Sequence, residues 1–182
     1  MTILTLGVLL WSLAHLLGRV APGLRDRLGG RAGMGLVSLT ATALMVFGYR
    51  AAEGEFYWGR DPMTTGINNL LMLVSVYLFA AAGMKTKVGR MIRHPMLWGV
   101  VIWTLAHILV NGDTPSFVLF GGIGIWALLQ MLAINRMGPW LRPEPRPGKS
   151  PARMEVIAIF GTLVVYGAIA AAHYALGYAV FG

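Results

Sequence analysis

The chain has 182 residues, of which 57% are hydrophobic and 12% charged, with no cysteine and a formal net charge of +8. A mean hydropathy of +0.66, with the apolar residues in long blocks, excludes a soluble globular domain and points to a polytopic membrane protein. The absence of cysteine excludes disulfides, Cys–zinc sites, cysteine-ligated iron–sulfur clusters and thiolate-ligated haem, so any metal needs His or oxygen ligands.

Six apolar runs follow in order, at roughly 2–18, 33–50, 66–84, 96–110, 115–134 and 155–180. At about 1.5 Å per residue most of them can cross a hydrocarbon core of about 30 Å. The first run lacks a basic n-region and a recognisable Ala-x-Ala-like site, and is expected to be a retained span. Linker two, with Glu53, Glu55, Phe56, Tyr57, Trp58, Arg60 and Asp61, reads as an outer loop whose aromatics sit at headgroup depth. The fourth run is short, and the spacing predicts a start within Arg93-His94-Pro95, with the proline in the first turn where a missing N–H does no harm. Asn111 to Pro115 predicts a tight helical hairpin to the fifth run, and the Pro-rich stretch Pro139 to Pro151 an extended linker that sets the last helix somewhat apart.

The charges fix an orientation. Thirteen of the fifteen basic residues fall in linkers one, three and five, and only Arg50 and Arg60 in linkers two and four. They never form a continuous basic patch with interleaved aromatics, so membrane orientation accounts for them better than nucleic acid. The positive-inside rule then places the odd linkers in the cytoplasm. The expected fold is all-α, a polytopic membrane protein with a six-transmembrane-helix bundle and both termini on the outer, periplasmic side.

The stretch Arg93 to Asp113 carries the residue that most needs explaining, His107, which lies inside an apolar run. Lipid cannot hydrate an imidazole, so such a residue faces a partner and is a functional candidate by default. Gly99, Trp103, His107 and Asn111 recur every four residues and share one helix face. Trp11-Ser12-Leu13-Ala14-His15 echoes Trp103-Thr104-Leu105-Ala106-His107, each placing an indole one turn before a histidine. Two imidazoles from facing helices are a common way to hold haem iron in a bundle. Depth pairs His107 with His173 and His15 with His94; a His15–His107 pair needs a deeper His15 or a tilted cofactor plane. The competing reading is that these histidines bridge helices as hydrogen-bonding residues. His94 reads as a helix-start residue, and Asn111-Gly112-Asp113 as a polar lid or a simple turn.

Ala14-His15, Leu24-Arg25-Asp26-Arg27-Leu28-Gly29, Arg93-His94-Pro95-Met96-Leu97-Trp98-Gly99 and Trp103-x-x-Ala106-His107-x-x-x-Asn111-Gly112-Asp113 together resemble the NnrU family over roughly 1–135. The resemblance implies one membrane domain: family core helices over 1–135, a Pro-rich cytoplasmic linker over 136–153 and a last helix over 154–182. It implies a multi-pass protein of the bacterial inner membrane, associated with denitrification and linked to nitrite and nitric oxide reduction. It extends to zeta-carotene isomerase, a haem b enzyme that isomerises a cis double bond of a linear carotene.

Carried over by position, the haem ligands of that enzyme fall on His15 and His107; the other cofactor-binding candidates are Thr104, Trp103 and Asn111 on or beside the His107 face, and His173 by depth. Its alternative cysteine ligand falls on Thr104, so no thiolate ligand switch is available here. The expected function is a haem b-binding accessory or redox factor whose partners are the lipid bilayer and a denitrification enzyme. The alternatives are a haem-dependent carotenoid isomerase acting on a hydrophobic polyene, and a cofactor-free structural membrane factor. Arg93-His94-Pro95 also resembles part of the isoprenylcysteine-type methyltransferase pattern. Leu97 stands in its tyrosine slot and no Glu-Glu pair follows, so that reading ranks lowest.

Overall fold

The computed structural model describes residues 1–181. Long helices dominate: α1 (Thr2–Val20), α2 (Pro22–Arg27), α3 (Gly30–Arg50), α4 (Pro62–Met84), α5 (Pro95–Val110), α6 (Thr114–Arg136) and α7 (Pro151–Ala175). Five of them, α1, α3, α4, α6 and α7, are long and apolar enough to cross a membrane; α5, at 16 residues, is the shorter apolar helix. Leu39, Phe47 and Phe160 are each about two-thirds exposed, as side chains that face lipid rather than a core would be. The chain divides into two compact units, Met1–Gly59 with Asn111–Gly138, and Arg60–Val110 with Pro139–Gly182.

The first unit is built on a close packing of α1 against α3. A Cβ on Gly48 would lie 2.5 Å from the Leu4 backbone nitrogen, and one on Gly7 2.8 Å from that of Met45, so both positions must be glycine for the helices to touch. Leu4 and Ala41 are fully buried in this seam. Pro22 stops α1 by forcing Ala21 out of the helical region, and Gly29, at φ 92°, supplies the left-handed turn that starts α3. Val8 of α1 meets Gly122 of α6. The sixth helix begins on an Asp113 cap, whose carboxylate accepts from the Ser116 N–H at 2.8 Å, and widens into a π-helical turn over Phe117–Gly121. The expected plain turn at Asn111–Pro115 is more than a turn: Gly112–Asp113 (β2) pairs antiparallel with Phe56–Trp58 (β1). The Trp58 ring lies where a Cβ on Gly112 would be, so only glycine fits. The three aromatics of β1 are exposed.

In the second unit α4 starts on a capping box. The Asp61 carboxylate accepts from the Met63 and Thr64 N–H groups at 2.9 and 3.1 Å, and the Thr64 hydroxyl accepts from the Asp61 N–H, with Pro62 in the first turn. Lys85, at φ 53°, ends the helix. Pro95 opens α5, as its position in the sequence predicts. The Ser75 hydroxyl donates to the Gly99 carbonyl at 2.8 Å and fixes the register between α4 and α5. The last helix is tied in more firmly than an extended linker suggests. Glu155 accepts from the Tyr77 hydroxyl and, at 3.3 Å, from the Val88 N–H. Within the linker, Arg146 donates to the Gly83 carbonyl and Pro143 accepts from Arg90.

Candidate histidine sites

Each intramembrane histidine is oriented by its own helix. Nδ1 of His15 lies 2.9 Å from the Trp11 carbonyl, Nδ1 of His107 2.9 Å from the Trp103 carbonyl, and Nδ1 of His173 2.8 Å from the Ile169 carbonyl. A carbonyl only accepts, so in all three Nδ1 carries the proton and Nε2 keeps the lone pair. In metal-ligating histidines a hydrogen bond at the other ring nitrogen does the same, fixing tautomer and ring direction.

The two echoed pentapeptides give one local geometry. Trp11 stacks on His15 with centroids 4.1 Å apart and planes at 29°, and Trp103 leans on His107 at 5.0 Å and 51°. Ala14 and Ala106, one residue before each imidazole, are buried, so the helix face next to each histidine is covered. Thr104 is also buried, and its hydroxyl donates to the Val101 carbonyl at 2.8 Å, which leaves it committed to its own helix.

The structure groups the candidates by unit. His15 belongs to the first, beside Trp11 and under the edge of Trp126, whose ring lies 5.3 Å from the imidazole. The indole nitrogens of Trp11 and Trp126 and the side-chain oxygen of Gln130, one turn beyond Trp126, are buried without a hydrogen-bond partner. His107, Trp103, Thr104 and His173 belong to the second unit. There His107 and His173, the pair that depth suggests, share one unit. Tyr178 lies edge-on to His173 at 6.5 Å. His94 stands before Pro95, and its carbonyl takes the Trp98 N–H, as expected of a helix start. Asn111 directly follows α5, and Asp113 serves as the α6 cap rather than a lid. Among the described residues, no three His, Asp or Glu side chains gather as a metal-holding group.

Sequence reasoning missed Trp126, Gln130 and Glu155. The apolar period of α6 hides the first two, and only the general rule that a carboxylate inside an apolar run needs a partner could have flagged Glu155.

No curated protein and no solved structure is similar enough to this chain to match it. The family model described as NnrU protein matches residues 3–180, so the similarity runs past the quoted motifs, through the Pro-rich linker and the last helix. With nearly its whole length matched, the chain belongs to the NnrU family.

Proposed function

We propose that this NnrU protein is a six-span bacterial inner-membrane protein with both termini outward, which carries a b-type haem on His107 and serves denitrification as an accessory or redox factor. The observation that supports haem most is the shared orientation of the imidazoles: Nδ1–H is donated to the helix backbone, which makes Nε2 the unprotonated nitrogen. The donor set suits haem iron, which needs one or two axial nitrogens and no cluster of carboxylates. When bound, the haem supplies one-electron chemistry at its iron.

The chain's own residues would hold and orient that group. His107 provides the ligand nitrogen, the Trp103 carbonyl sets its tautomer, and the Trp103 ring covers one side of the imidazole. The resemblance favours His15 as the second ligand, and membership of the same compact unit favours His173. The orientation rests on the basic residues of linkers one, three and five, and α5 spans about 24 Å at 1.5 Å per residue, nearly the depth of the core.

Visible spectra of purified variants test the ligand set. His107→Ala is expected to abolish the Soret band, and the true second ligand, on substitution by alanine, to change its position and spin state. A changed band position and spin state in His15→Ala selects the family pair, and the same change in His173→Ala selects the pair within the second unit. A Soret band unchanged in His107→Ala overturns the assignment. The carotenoid isomerase reading keeps the haem but lacks the thiolate, because Thr104 stands in the cysteine slot and the chain has no cysteine. Reduced, haem-loaded protein that leaves a cis-carotene unchanged removes it. A colourless protein from haem-replete cells would instead favour the cofactor-free structural factor.

A further inference from the structure

Within the second unit, two fixed contacts set the relative levels of three helices. Ser75 of α4 bonds the Gly99 carbonyl of α5, and two turns along each antiparallel helix bring Asn68 level with Ala106 and His107. Tyr77 of α4 bonds Glu155 of α7, and three turns from there bring Tyr166 level with Gly66 and Ile67. Asn68, Asn69, Tyr166 and His107 therefore lie in one layer, near the end of the unit that carries Arg60.

That layer holds polar atoms with nothing to bond. Asn68 is only 9% exposed, and its side-chain oxygen has no hydrogen-bond partner. The Asn69 Oδ1 is also buried and unpaired; its amide orientation is fixed because Nδ2 donates to the Val180 carbonyl at 3.2 Å. The Tyr166 hydroxyl is the third buried, unpaired group. Thr65, one turn before Asn69, is buried as well. In a bundle surrounded by lipid each such group is costly, and three in one layer are not expected without a ligand that satisfies them.

The chemistry of the layer narrows that ligand. It presents two amide oxygens and a hydroxyl, all neutral, and calls for a donor. The acids of the unit are elsewhere: Asp61 caps α4, Glu155 is taken by Tyr77 and Val88, and Glu144 is exposed in the linker. A bound cation would thus have no counter-charge. The tail covers this end. Arg60 donates from its two terminal nitrogens to the Ala179 and Val180 carbonyls, the Phe181 N–H donates to the Tyr174 hydroxyl at 3.1 Å, and the Phe181 ring lies 6.2 Å from Tyr166.

The geometry points to a water-binding vestibule in this layer, roofed by residues 178–181, that brings water and exchangeable protons from the Arg60 end to the level of His107. It rests on unpaired groups in one unit and holds whether or not a haem is bound. Arg60 and Asn69 act as the pins of the roof.

The natural absence of cysteine makes the test direct. Asn68→Cys is placed in lipid nanodiscs and exposed to a charged methanethiosulfonate reagent, which reacts only where water lets a thiolate form. The control is Leu70→Cys, at a residue 65% exposed on the lipid side of α4. The vestibule predicts that Asn68→Cys reacts at least about tenfold faster than the control, and faster again when Arg60→Ala frees the tail. Equal, slow labelling at both positions overturns it. Should the Asn68 variant fail to fold, hydroxyl-radical footprinting of the unaltered protein decides: oxidation of Tyr166 well above that of lipid-facing Phe160 supports the vestibule, and equal oxidation refutes it.

Discussion

Gly48→Ala tests the seam on which the first unit is built. The added methyl would stand 2.5 Å from the Leu4 nitrogen and 2.7 Å from its Cα, short of the 3.4 Å where ordinary contact begins by 0.9 and 0.7 Å. Both obstacles are backbone, so neither can swing aside, and α1 must move away from α3. Overpacking of this kind costs up to about 3 kcal/mol. Alanine returns about 1 kcal/mol of helix propensity, so the net loss is about 2 kcal/mol, near a thirtyfold change in the unfolding equilibrium. Gly35, on the same helix, has nothing within 4 Å of its Cβ position, and Gly35→Ala should gain about 1 kcal/mol. Reversible unfolding by SDS titration in mixed micelles, followed by helix circular dichroism, reads both. Equal shifts in the two variants would refute the close α1–α3 packing.

Other outcomes follow from the second unit and from α6. Glu155→Ala should destabilise by about 2 kcal/mol, and a double-mutant cycle with Tyr77→Phe should give a coupling near 1 kcal/mol; no coupling would mean the hydroxyl and carboxylate do not hold α7 to α4. The Thr64 hydroxyl and N–H hold the Asp61 carboxyl below its ordinary value of 3.8, so the ionised cap contributes stability above that value. This contribution is lost as pH falls through the lower folded value, and a pH titration of unfolding should show the acid loss in the parent but not in Asp61→Ala. Trp126→Phe keeps the ring beside His15 but removes an indole N–H that has no partner, and is expected to be neutral or slightly stabilising in the ligand-free protein. Trp126→Ala should cost about 3–5 kcal/mol, measured by the same titration.

The sequence read most clearly where local physics decides. Apolar block lengths, the Pro95 helix start and the Trp-to-His spacing of the two pentapeptides all carry through to the structure, because each depends on residues within one or two turns. Features that depend on distant partners were not legible. The pairing of Phe56–Trp58 with Gly112–Asp113 joins segments more than fifty residues apart, and only the collision of Trp58 with any side chain at 112 explains that glycine. The π-helical turn at Phe117–Gly121 leaves no periodic signature in so apolar a segment. Likewise, an Asn or a Tyr in a span announces a need for a partner without saying which, so the layer of Asn68, Asn69 and Tyr166 emerges only once the registers of α4, α5 and α7 are fixed.

Imidazoles presented through Nε2 are proposed to hold a haem. Pyridine haemochrome analysis of the detergent-purified protein from haem-replete cells measures this directly. The expected result is roughly one haem b per chain, with a Soret band that shifts on reduction. A colourless protein, folded and monodisperse but with no haem signal, would contradict it.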